Sequence, residues 1–424
     1  MTLETHAGFT NPSGSSCRDQ ILLDISSGRF YKKGMRILHL LSEWKWTGPS
    51  EPVLNLCREL ERRGHDVTLA YRKAPSPVEG SLEKEVLEAG VKGTTQFHLN
   101  HALKVFHPAS IWRNLSDISH LTTYLRQTGF DILNVHQSHD HILGGIAARR
   151  LGVPPMVIRT DHRRDPLEPT LGNRCLISEL SDGIMTFSER ARREDSENFR
   201  LPPERVGRVT PALDLQRFDA GKAWKDMRPV FDIKPGDVVI GMVARFQAYR
   251  RTDVFLQAIK EMVREFPNLR LLLVGRSSQM ERSVLQPVER LGIEPWVIRA
   301  GYRTDDYLDT LATLDIFVFL MAGSDGTARA LREAMAMGKP AVVANRGMLP
   351  ELVDDGVTGF VVEDRPEAYV QATLPLLRDA DLRRKMGDAA REKAHRDFRL
   401  DRQGEEVEGF YERMISLGKW RKRS

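Results

Sequence analysis

The stretch from residue 315 to residue 340 places the strongest constraint on what this chain can fold into. Residues 315–321 form a near-continuous apolar run, which is typical of a strand buried on both faces of a parallel sheet. Residues 329–337 follow a helical pattern, and small residues join the two segments. A strand that passes through such a turn into a helix presents free backbone N–H groups to an anion. The sequence therefore predicts an α/β fold with an anion site at the carboxyl end of its sheet.

Two carboxylates, Asp325 and Glu333, flank this junction. They can lie along one ligand, with one acid at its phosphate end and the other further along. An ordinary turn explains the same residues equally well, with Asp325 as the helix N-cap and Glu333 on a solvated face. These residues alone leave both interpretations open.

The size and charge of the chain limit its class. A chain of 424 residues is longer than one core usually supports, so two domains are expected. Hydrophobic residues at 41% and charged residues at 29% are typical of a globular protein. The net charge of +5 favours phosphorylated ligands or an anionic membrane surface. The interspersed acids argue against a dedicated nucleic-acid-binding protein.

The cysteines and the apolar runs indicate a cytoplasmic protein. Cys17, Cys57 and Cys175 lie far apart, so neither a disulfide framework nor a cysteine zinc site is expected. No apolar run approaches the roughly 18 residues that span a bilayer. Residues 1–31 also lack the apolar segment of a secretory signal. Any contact with a membrane is therefore expected to be peripheral, on the cytoplasmic face.

The first half opens with a strand at residues 36–41, a loop, a helix at residues 52–63 and a second strand at residues 65–70. This order is the opening βαβ unit of a doubly wound sheet. The unit lacks G-x-G-x-x-G, so dinucleotide binding is poorly supported. Trp46 and Gly48 lie in the loop, where an aromatic face can contact a sugar or serve as a packing anchor.

Histidines follow the later strands of the first half. His136, His139 and His141 come after the strand at 131–135, and they suggest either a metal site or a polar, protonatable cleft wall. A strand-end loop does not hold three rings on one face, so the cleft wall is favoured and no metal is expected. His162 and Arg163 follow the next strand and belong to the same expected edge.

Residues 96–127 carry histidine, lysine, arginine and tryptophan side chains among apolar ones. One interpretation is a solvated helical face. The other is a cationic, aromatic surface for an anionic acceptor or for lipid head groups.

A polar segment at residues 219–236 divides the chain, and a new buried strand begins at residue 237. Arg245, Arg250 and Arg251 follow that strand, where guanidinium groups favour bidentate binding of phosphate. A set of surface arginines is the simpler alternative. The expected organisation is a poorly ordered extension (1–34), an acceptor domain (35–218), a linker (219–236), a donor domain (237–400) and a C-terminal helix that packs back on the first domain (401–424).

The second half resembles the retaining glycosyltransferases of family 4, which have the GT-B fold. Residues 241–253 are similar to the Arg…Lys/Arg diphosphate motif of that family, and residues 272–275 and 300–303 to its next two turns. Residues 325–333 resemble its E-x7-E signature, and residues 333–340 its helix. The first half resembles the acceptor domain more loosely. The resemblance implies two Rossmann-like, doubly wound domains that face each other across a cleft.

The resemblance also implies roles for particular residues. It assigns Arg245 and Arg250 to the two phosphates of the donor, Glu333 to the ribose, Asp325 to the transferred sugar and His136 to the reacting centre. Further residues are implied as donor contacts, namely Gly48, Gly275, Tyr302, Arg303, Gly326, Thr327, Ala328 and Arg329. The acceptor contacts expected are Trp46, His162 and Arg163.

The implied reaction transfers a sugar from a nucleotide-diphosphate sugar to the hydroxyl of a saccharide or lipid-linked acceptor, with retention of configuration. It requires neither a metal nor another cofactor, because the arginines offset the charge of the leaving group. Synthesis of cell-envelope polysaccharide, lipopolysaccharide or glycolipid is the expected setting. Asp325, Ala328 and Arg251 depart from the usual Glu, Gly and Gly, which leaves the donor sugar open. A nucleotide-sugar epimerase and a non-catalytic nucleotide-sugar-binding protein are the alternatives.

Overall fold

A computed structural model of the protein contains two parallel β-sheets, each belonging to its own α/β domain. The structure describes residues 21–24, 29–32, 34–46, 48–75, 80–99, 108–218, 222–322 and 327–421. An antiparallel pair, β1 (Ile21–Asp24) and β2 (Arg29–Lys32), precedes the first sheet.

The N-terminal sheet has seven parallel strands in the order β5, β4, β3, β6, β7, β8, β9. Its strands are β3 (Arg36–Leu41), β4 (Asp66–Tyr71), β5 (Gly93–Thr94), β6 (Ile132–Val135), β7 (Met156–Thr160), β8 (Gly183–Thr186) and β9 (Val206–Arg208). The helices that connect them are α1 (Ser50–Arg62), α2 (Leu82–Ala89), α3 (Pro108–Thr128), α4 (Ser138–Arg149), α5 (Leu171–Glu179) and α6 (Glu189–Phe199).

The C-terminal sheet has six parallel strands in the order β12, β11, β10, β13, β14, β15. Its strands are β10 (Val238–Val243), β11 (Leu269–Val274), β12 (Val297–Gly301), β13 (Ile316–Phe319), β14 (Ala341–Ala344) and β15 (Gly359–Val362). The helices of this half are α7 (Thr252–Met262), α8 (Gln286–Leu291), α9 (Tyr307–Ala312), α10 (Arg329–Ala336), α11 (Leu349–Leu352), α12 (Pro366–Arg378) and α13 (Ala380–Asp397).

Apolar side chains alternate between the two faces of each sheet, which explains the near-continuous apolar runs. On β10, Val239 packs into the core on one face and Ile240 into the core on the other. On β3, Ile37 and Leu38 divide in the same way. Each sheet is therefore covered by helices on both sides, as a doubly wound parallel sheet requires.

The strand order reverses direction once in each sheet. The chain runs outward from β3 to β4 and β5, then returns to the opposite side of β3 with β6. It does the same around β10, with β11 and β12 on one side and β13 on the other. Ligands of such sheets bind outside the carboxyl ends of the strands at this reversal. A cleft opens there, lined by residues of both domains, and this confirms the fold predicted from the sequence.

The last helix, α14 (Leu400–Arg421), returns to the N-terminal domain. Phe410 and Met414 join the apolar core that contains Ile37, and the Tyr411 hydroxyl donates a hydrogen bond of 2.7 Å to Asn134 Oδ1. Among the described helices, none combines the length and apolar character needed to cross a membrane.

Candidate active site

The cleft between the domains has a volume of about 1230 Å³. It is lined by eight residues that the sequence singled out, namely Gly48, His136, His162, Arg163, Arg245, Arg250, Ala328 and Arg329. Glu333 is buried and is not among the lining residues, but it accepts a hydrogen bond from Arg329, which lines the cleft. Asp325 and Gly326 lie outside the described residues.

The N-terminal wall is built around three hydrogen-bonded histidines. His39 lies on β3, and His136 and His162 follow β6 and β7. The Nδ1 atom of His39 is 2.9 Å from His136 Nε2, and His136 Nδ1 is 3.0 Å from His162 Nε2. The rings of His39 and His136 are stacked, with centroids 5.2 Å apart. These three residues are called the histidine chain below.

Burial favours the uncharged forms of His39 and His136. Burial lowers the pKa of His39 from 6.5 to about 3, with a smaller contribution from His162. Burial, reinforced by the neighbouring His162 and His39, also holds the pKa of His136 well below its ordinary value. Each hydrogen bond between neutral rings needs one N–H and one lone pair, so the tautomer of each ring sets that of the next. The orientation of His136 therefore depends on both of its neighbours.

The loop that follows β7 carries ion pairs. Arg163 makes a bidentate contact with Asp161, with 2.9 Å from Nε to Oδ1 and from Nη2 to Oδ2. Arg159 is 2% exposed and lies 3.6 Å from the same carboxylate through Nη2. Its Nε and Nη1 atoms have no hydrogen-bond partner among the residues that the structure describes. Asp161 is thus shared by two guanidinium groups.

Trp46 and Gly48 lie in the loop before α1. Trp46 packs against the apolar core of the N-terminal domain and is not among the residues that line the cleft. Gly48 lines the cleft with φ of 60°, a left-handed conformation that glycine adopts without strain. Of the two roles considered for Trp46, a sugar contact and a packing anchor, its observed position corresponds to the packing anchor.

The C-terminal wall carries Arg245 and Arg250, which follow β10. Arg250 Nη1 donates to the Met321 carbonyl at 2.5 Å, and its guanidinium lies 5.4 Å from the centroid of the Tyr249 ring. Within the described part of the chain, neither arginine forms an ion pair with a carboxylate. Burial lowers the pKa of Arg250, and the charges of Arg164 and Arg245 lower it further. The wall therefore concentrates positive charge that no described acid neutralises.

Glu333, on α10, is 3% exposed and already has two partners. The Tyr307 hydroxyl donates to Glu333 Oε2 at 2.5 Å, and Arg329 Nε donates to Oε1 at 2.7 Å. Burial opposes the charge of Arg329, but Glu333 and Glu51 together raise its pKa. Since Glu51 belongs to α1 and lies 2.7 Å from Arg329 Nη1, this ion pair joins the two domains.

Two departures from the family pattern coincide with left-handed backbone. Ala328 has φ of 48° and Arg251 has φ of 55°, and both stand where the resembled family has glycine. A residue with a Cβ atom is strained there by about 1 kcal/mol or more. The glycine pattern thus reflects backbone conformation, and this chain keeps the conformation without the glycine.

The remaining predicted donor contacts lie outside the lining of the cleft. At Gly275, φ is 137° and a Cβ atom would lie 2.0 Å from the Ala244 carbonyl oxygen, so only glycine fits. Tyr302 is 58% exposed, with the Arg276 guanidinium 4.3 Å from its ring centroid. Arg303 pairs with Asp306 instead of facing the cleft. Thr327 is buried just before α10.

A metal site is not assembled from the residues that the structure describes: no group of three or more His, Cys, Asp or Glu side chains could hold an ion. His136 contacts His39 and His162 instead of converging with the two later histidines of its own segment. Asp140 caps α4 by accepting from the backbone N–H of Gln137 at 2.9 Å, and it also accepts from the backbone N–H of Ser42, after β3, at 2.9 Å.

Sequence reasoning missed several residues of the site. His39 sits in an apolar strand, Glu51 and Tyr307 belong to no motif, and Tyr249 lies within residues 241–253 without being singled out there. Arg164 stands beside the predicted Arg163, but the sequence does not show which of the two faces the other domain. The only sequence signal for Arg163 and Arg164 was their position directly after a predicted strand.

Comparison with known proteins matches both halves of the chain to enzyme families. Residues 47–217 match the family described as Glycosyltransferase Family 4, and residues 225–393 match Glycosyl transferases group 1. The N-acetyl-alpha-D-glucosaminyl L-malate synthase of Bacillus anthracis is 27% identical over 305 residues, covering 70% of this chain and 78% of the relative.

Solved structures share the fold at lower identity. A glycosyltransferase from Rickettsia africae has a TM-score of 0.76 and 16% identity, over 90% of this chain and 99% of that one. HepE of Anabaena, solved in complex with UDP and glucose, has a TM-score of 0.70 and 17% identity, over 88% and 98%. At these identities, the similarity establishes a common two-domain architecture.

Proposed function

This chain belongs to the GT-B glycosyltransferases, with a family 4 N-terminal half and a group 1 C-terminal half, and we propose that it transfers a sugar from a nucleotide-diphosphate donor to an acceptor hydroxyl with retention of configuration. The observation that carries the proposal is the pair Arg245 and Arg250, which line the same cleft as His136 and have no carboxylate partners of their own among the described residues. Unpaired guanidinium groups at a strand end suit a diphosphate.

The donor lies along the C-terminal wall. Its phosphates meet Arg245, Arg250 and the backbone N–H groups at the start of α10, and its ribose hydroxyls bind Glu333. To accept the ribose, Glu333 releases Arg329, which keeps its contact with Glu51 on the other domain. Asp325 contacts the hydroxyls of the transferred sugar.

The reaction breaks the bond between the anomeric carbon and the diphosphate oxygen, and it forms a bond between that carbon and the acceptor oxygen. The acceptor attacks on the face that the diphosphate leaves, and its proton passes to the departing phosphate oxygen. Negative charge grows on this oxygen as the bond breaks, so Arg245 and Arg250 stabilise the transition state more than the ground state. Both ring nitrogens of His136 contact other histidines in the free protein, so His136 becomes a hydrogen-bond partner of the sugar by exchanging its contact with His39 or His162 for a sugar hydroxyl.

The reaction is proposed to need neither a metal ion nor another cofactor, because the two arginines and the helix N-terminus supply the charge that a cation would supply. Treatment with a chelator should therefore leave the rate unchanged. A strong loss of activity, restored by a divalent metal, would contradict this part of the proposal.

The acceptor is proposed to be a saccharide or a lipid-linked glycan of the cell envelope, and the enzyme to work in the cytoplasm. Ile111, Trp112 and Leu115 are exposed on α3, and they support peripheral contact of the N-terminal domain with an anionic membrane. One relative is a GlcNAc-malate synthase, so small hydroxy acids belong in the acceptor screen as well.

Thermal-shift screening against nucleotide sugars tests the donor site directly, because a bound ligand stabilises the folded state by mass action. We expect one nucleotide class to raise the midpoint of the purified protein. Arg250→Ala and Glu333→Gln should abolish the shift, and Arg193→Ala, an exposed arginine of α6, should retain it. Unchanged binding by both site variants would overturn the transferase proposal.

A further inference from the structure

Arg164 belongs to the N-terminal domain, but its side chain reaches the C-terminal wall. It follows β7 in the same loop as Arg163. Its Nη1 atom is 3.2 Å from Met321 Sδ, and its guanidinium carbon is 5.3 Å from the centroid of the Tyr249 ring. Met321 and Tyr249 both belong to the C-terminal half, so this contact crosses the cleft.

Arg164 thereby joins the two arginines assigned to the donor. The guanidinium of Arg250 contacts the same Tyr249 ring at 5.4 Å, and Arg164, Arg245 and Arg250 all line the cleft. The charges of Arg164 and Arg245 also oppose protonation of Arg250, whose pKa burial already lowers. Two like charges on one aromatic ring, with a third in the same cleft, are costly unless an anion lies among them.

Arg163 lies in the same loop but has a different environment. Position in the loop alone therefore does not explain why the Arg164 side chain reaches the other domain. Arg163 is neutralised by Asp161, a carboxylate with 4% side-chain exposure. Among the residues that the structure describes, Arg164 forms its ion pair with Asp165, at 2.5 Å from Nη2 to Oδ2, and that side chain is 71% exposed. Asp165 also accepts from Arg164 Nε at 2.8 Å, and this contact raises the pKa of Arg164. Because Asp165 is exposed, water screens this pair more than it screens the buried carboxylate beside Arg163.

We propose that Arg164 is a third cation on the diphosphate of the donor, delivered by the acceptor domain. This inference rests on the proposed function, and it adds a catalytic residue from outside the domain that holds the nucleotide. As the bond to the anomeric carbon breaks, the charge on the leaving diphosphate grows, and Arg164 adds a cation from the N-terminal domain to those of Arg245 and Arg250. The full set of three cations exists only while the two domains face each other, so donor cleavage depends on closure of the cleft.

Calorimetry and kinetics with the full-length protein test the inference. UDP, GDP and ADP are each titrated beside the matching nucleoside, into the wild type, Arg164→Ala, Arg164→Lys and the control Arg193→Ala. We expect Arg164→Ala to lower the affinity for the nucleoside diphosphate that the wild type binds by about 10-fold to 100-fold. The affinity for the matching nucleoside should stay unchanged. The kcat of Arg164→Ala should fall by about 100-fold, and Arg164→Lys should recover part of both losses.

The outcomes separate this inference from the proposed function. If Arg250→Ala loses diphosphate binding but Arg164→Ala binds and turns over as the wild type does, the third-cation role is wrong and the donor site stands. If Arg164→Ala raises only the KM of the acceptor, the side chain recognises an anion on the acceptor, which also overturns the inference. If the wild type binds no diphosphate, both proposals fail.

Discussion

The two walls of the cleft differ in whether their arginines are paired with a carboxylate. On the N-terminal wall, burial favours uncharged His39 and His136, and Arg163 is held by the buried carboxylate of Asp161. On the C-terminal wall, Arg245 and Arg250 face the cleft with no acid beside them among the described residues, and Arg250 is bonded to a backbone carbonyl. The histidines and Arg163 are thus paired within the N-terminal wall, whereas Arg245 and Arg250 lack a carboxylate partner among the described residues.

This difference indicates which partner each wall is built to receive. A wall of mutually bonded neutral groups suits hydroxyls, which exchange hydrogen bonds without adding charge. A wall of unpaired guanidinium groups costs stability in the free protein and recovers that cost when a phosphate binds. The comparison predicts that substitutions on the C-terminal wall affect activity most, whereas the histidine chain affects stability in a pH-dependent way.

The largest effect is expected for Arg250→Met, which keeps an unbranched side chain but removes the charge. Because burial already opposes this charge, the thermal midpoint should stay the same or rise. The kcat should fall by about 10²-fold to 10³-fold, since a preorganised cation at the leaving group is lost. Steady-state kinetics and differential scanning calorimetry on one preparation measure both quantities. A lower midpoint with normal activity would show that Arg250 is structural.

An intermediate effect is expected for His39→Leu, measured as the free energy of unfolding in urea at several pH values. The pKa of His39 is about 3 in the folded protein and about 6.5 when unfolded, so only the unfolded chain takes up the proton between these values. The wild type should therefore lose stability relative to the variant as pH falls below 6.5, by about 2 kcal/mol at pH 5.

Two results would contradict a neutral histidine chain. A difference between wild type and variant that does not change from pH 7.5 to pH 5 would mean that His39 titrates as it does in the unfolded chain. A wild type that gains relative stability in acid would mean that the buried ring is charged. His98→Leu is the control, because His98 lies outside the cleft lining and is half exposed beside Asp117.

The smallest effect is expected for Glu51→Gln, which weakens the ion pair between Glu51 and Arg329 that joins the two walls. The Arg329 side chain is 34% exposed, so water screens the pair, and the free energy of unfolding should fall by less than about 1 kcal/mol. Donor affinity should stay within a few fold of the wild type, because the Arg329 side chain that Glu333 releases is 34% exposed and water can solvate its charge. A loss above 10-fold would show that donor binding depends on the contact between the domains.

Much of the fold could be predicted from the sequence. The apolar runs at β10 and β13 and the helical pattern of α10 are local signals, since a strand buried on both faces must be apolar throughout. The strand-end position of Arg245, Arg250 and His136 was equally local, because parallel strands bring their carboxyl ends to one edge of the sheet. The predicted start of α1 at residue 52 differs from the observed Ser50 by only two residues.

The partners of these residues could not be predicted. His39 and His136 are 97 positions apart, and Glu51 is still further from Arg329 along the chain. Nothing in the sequence around Glu333 indicates that Arg329 and Tyr307 would donate hydrogen bonds to its carboxylate in the free protein. Contacts of this kind depend on how two completed domains pack, and no periodicity records that packing.

The sequence by itself thus determined the two doubly wound sheets and the edges at which their polar residues gather, because both follow from patterns within a few dozen residues. Only the tertiary structure decided which charges on those edges are already neutralised and which remain for a ligand. Arg163 and Arg164 are neighbours in sequence, yet Asp161 neutralises one and the other crosses to Tyr249. Neutralisation depends on distance and burial, and these exist only once the domains face each other.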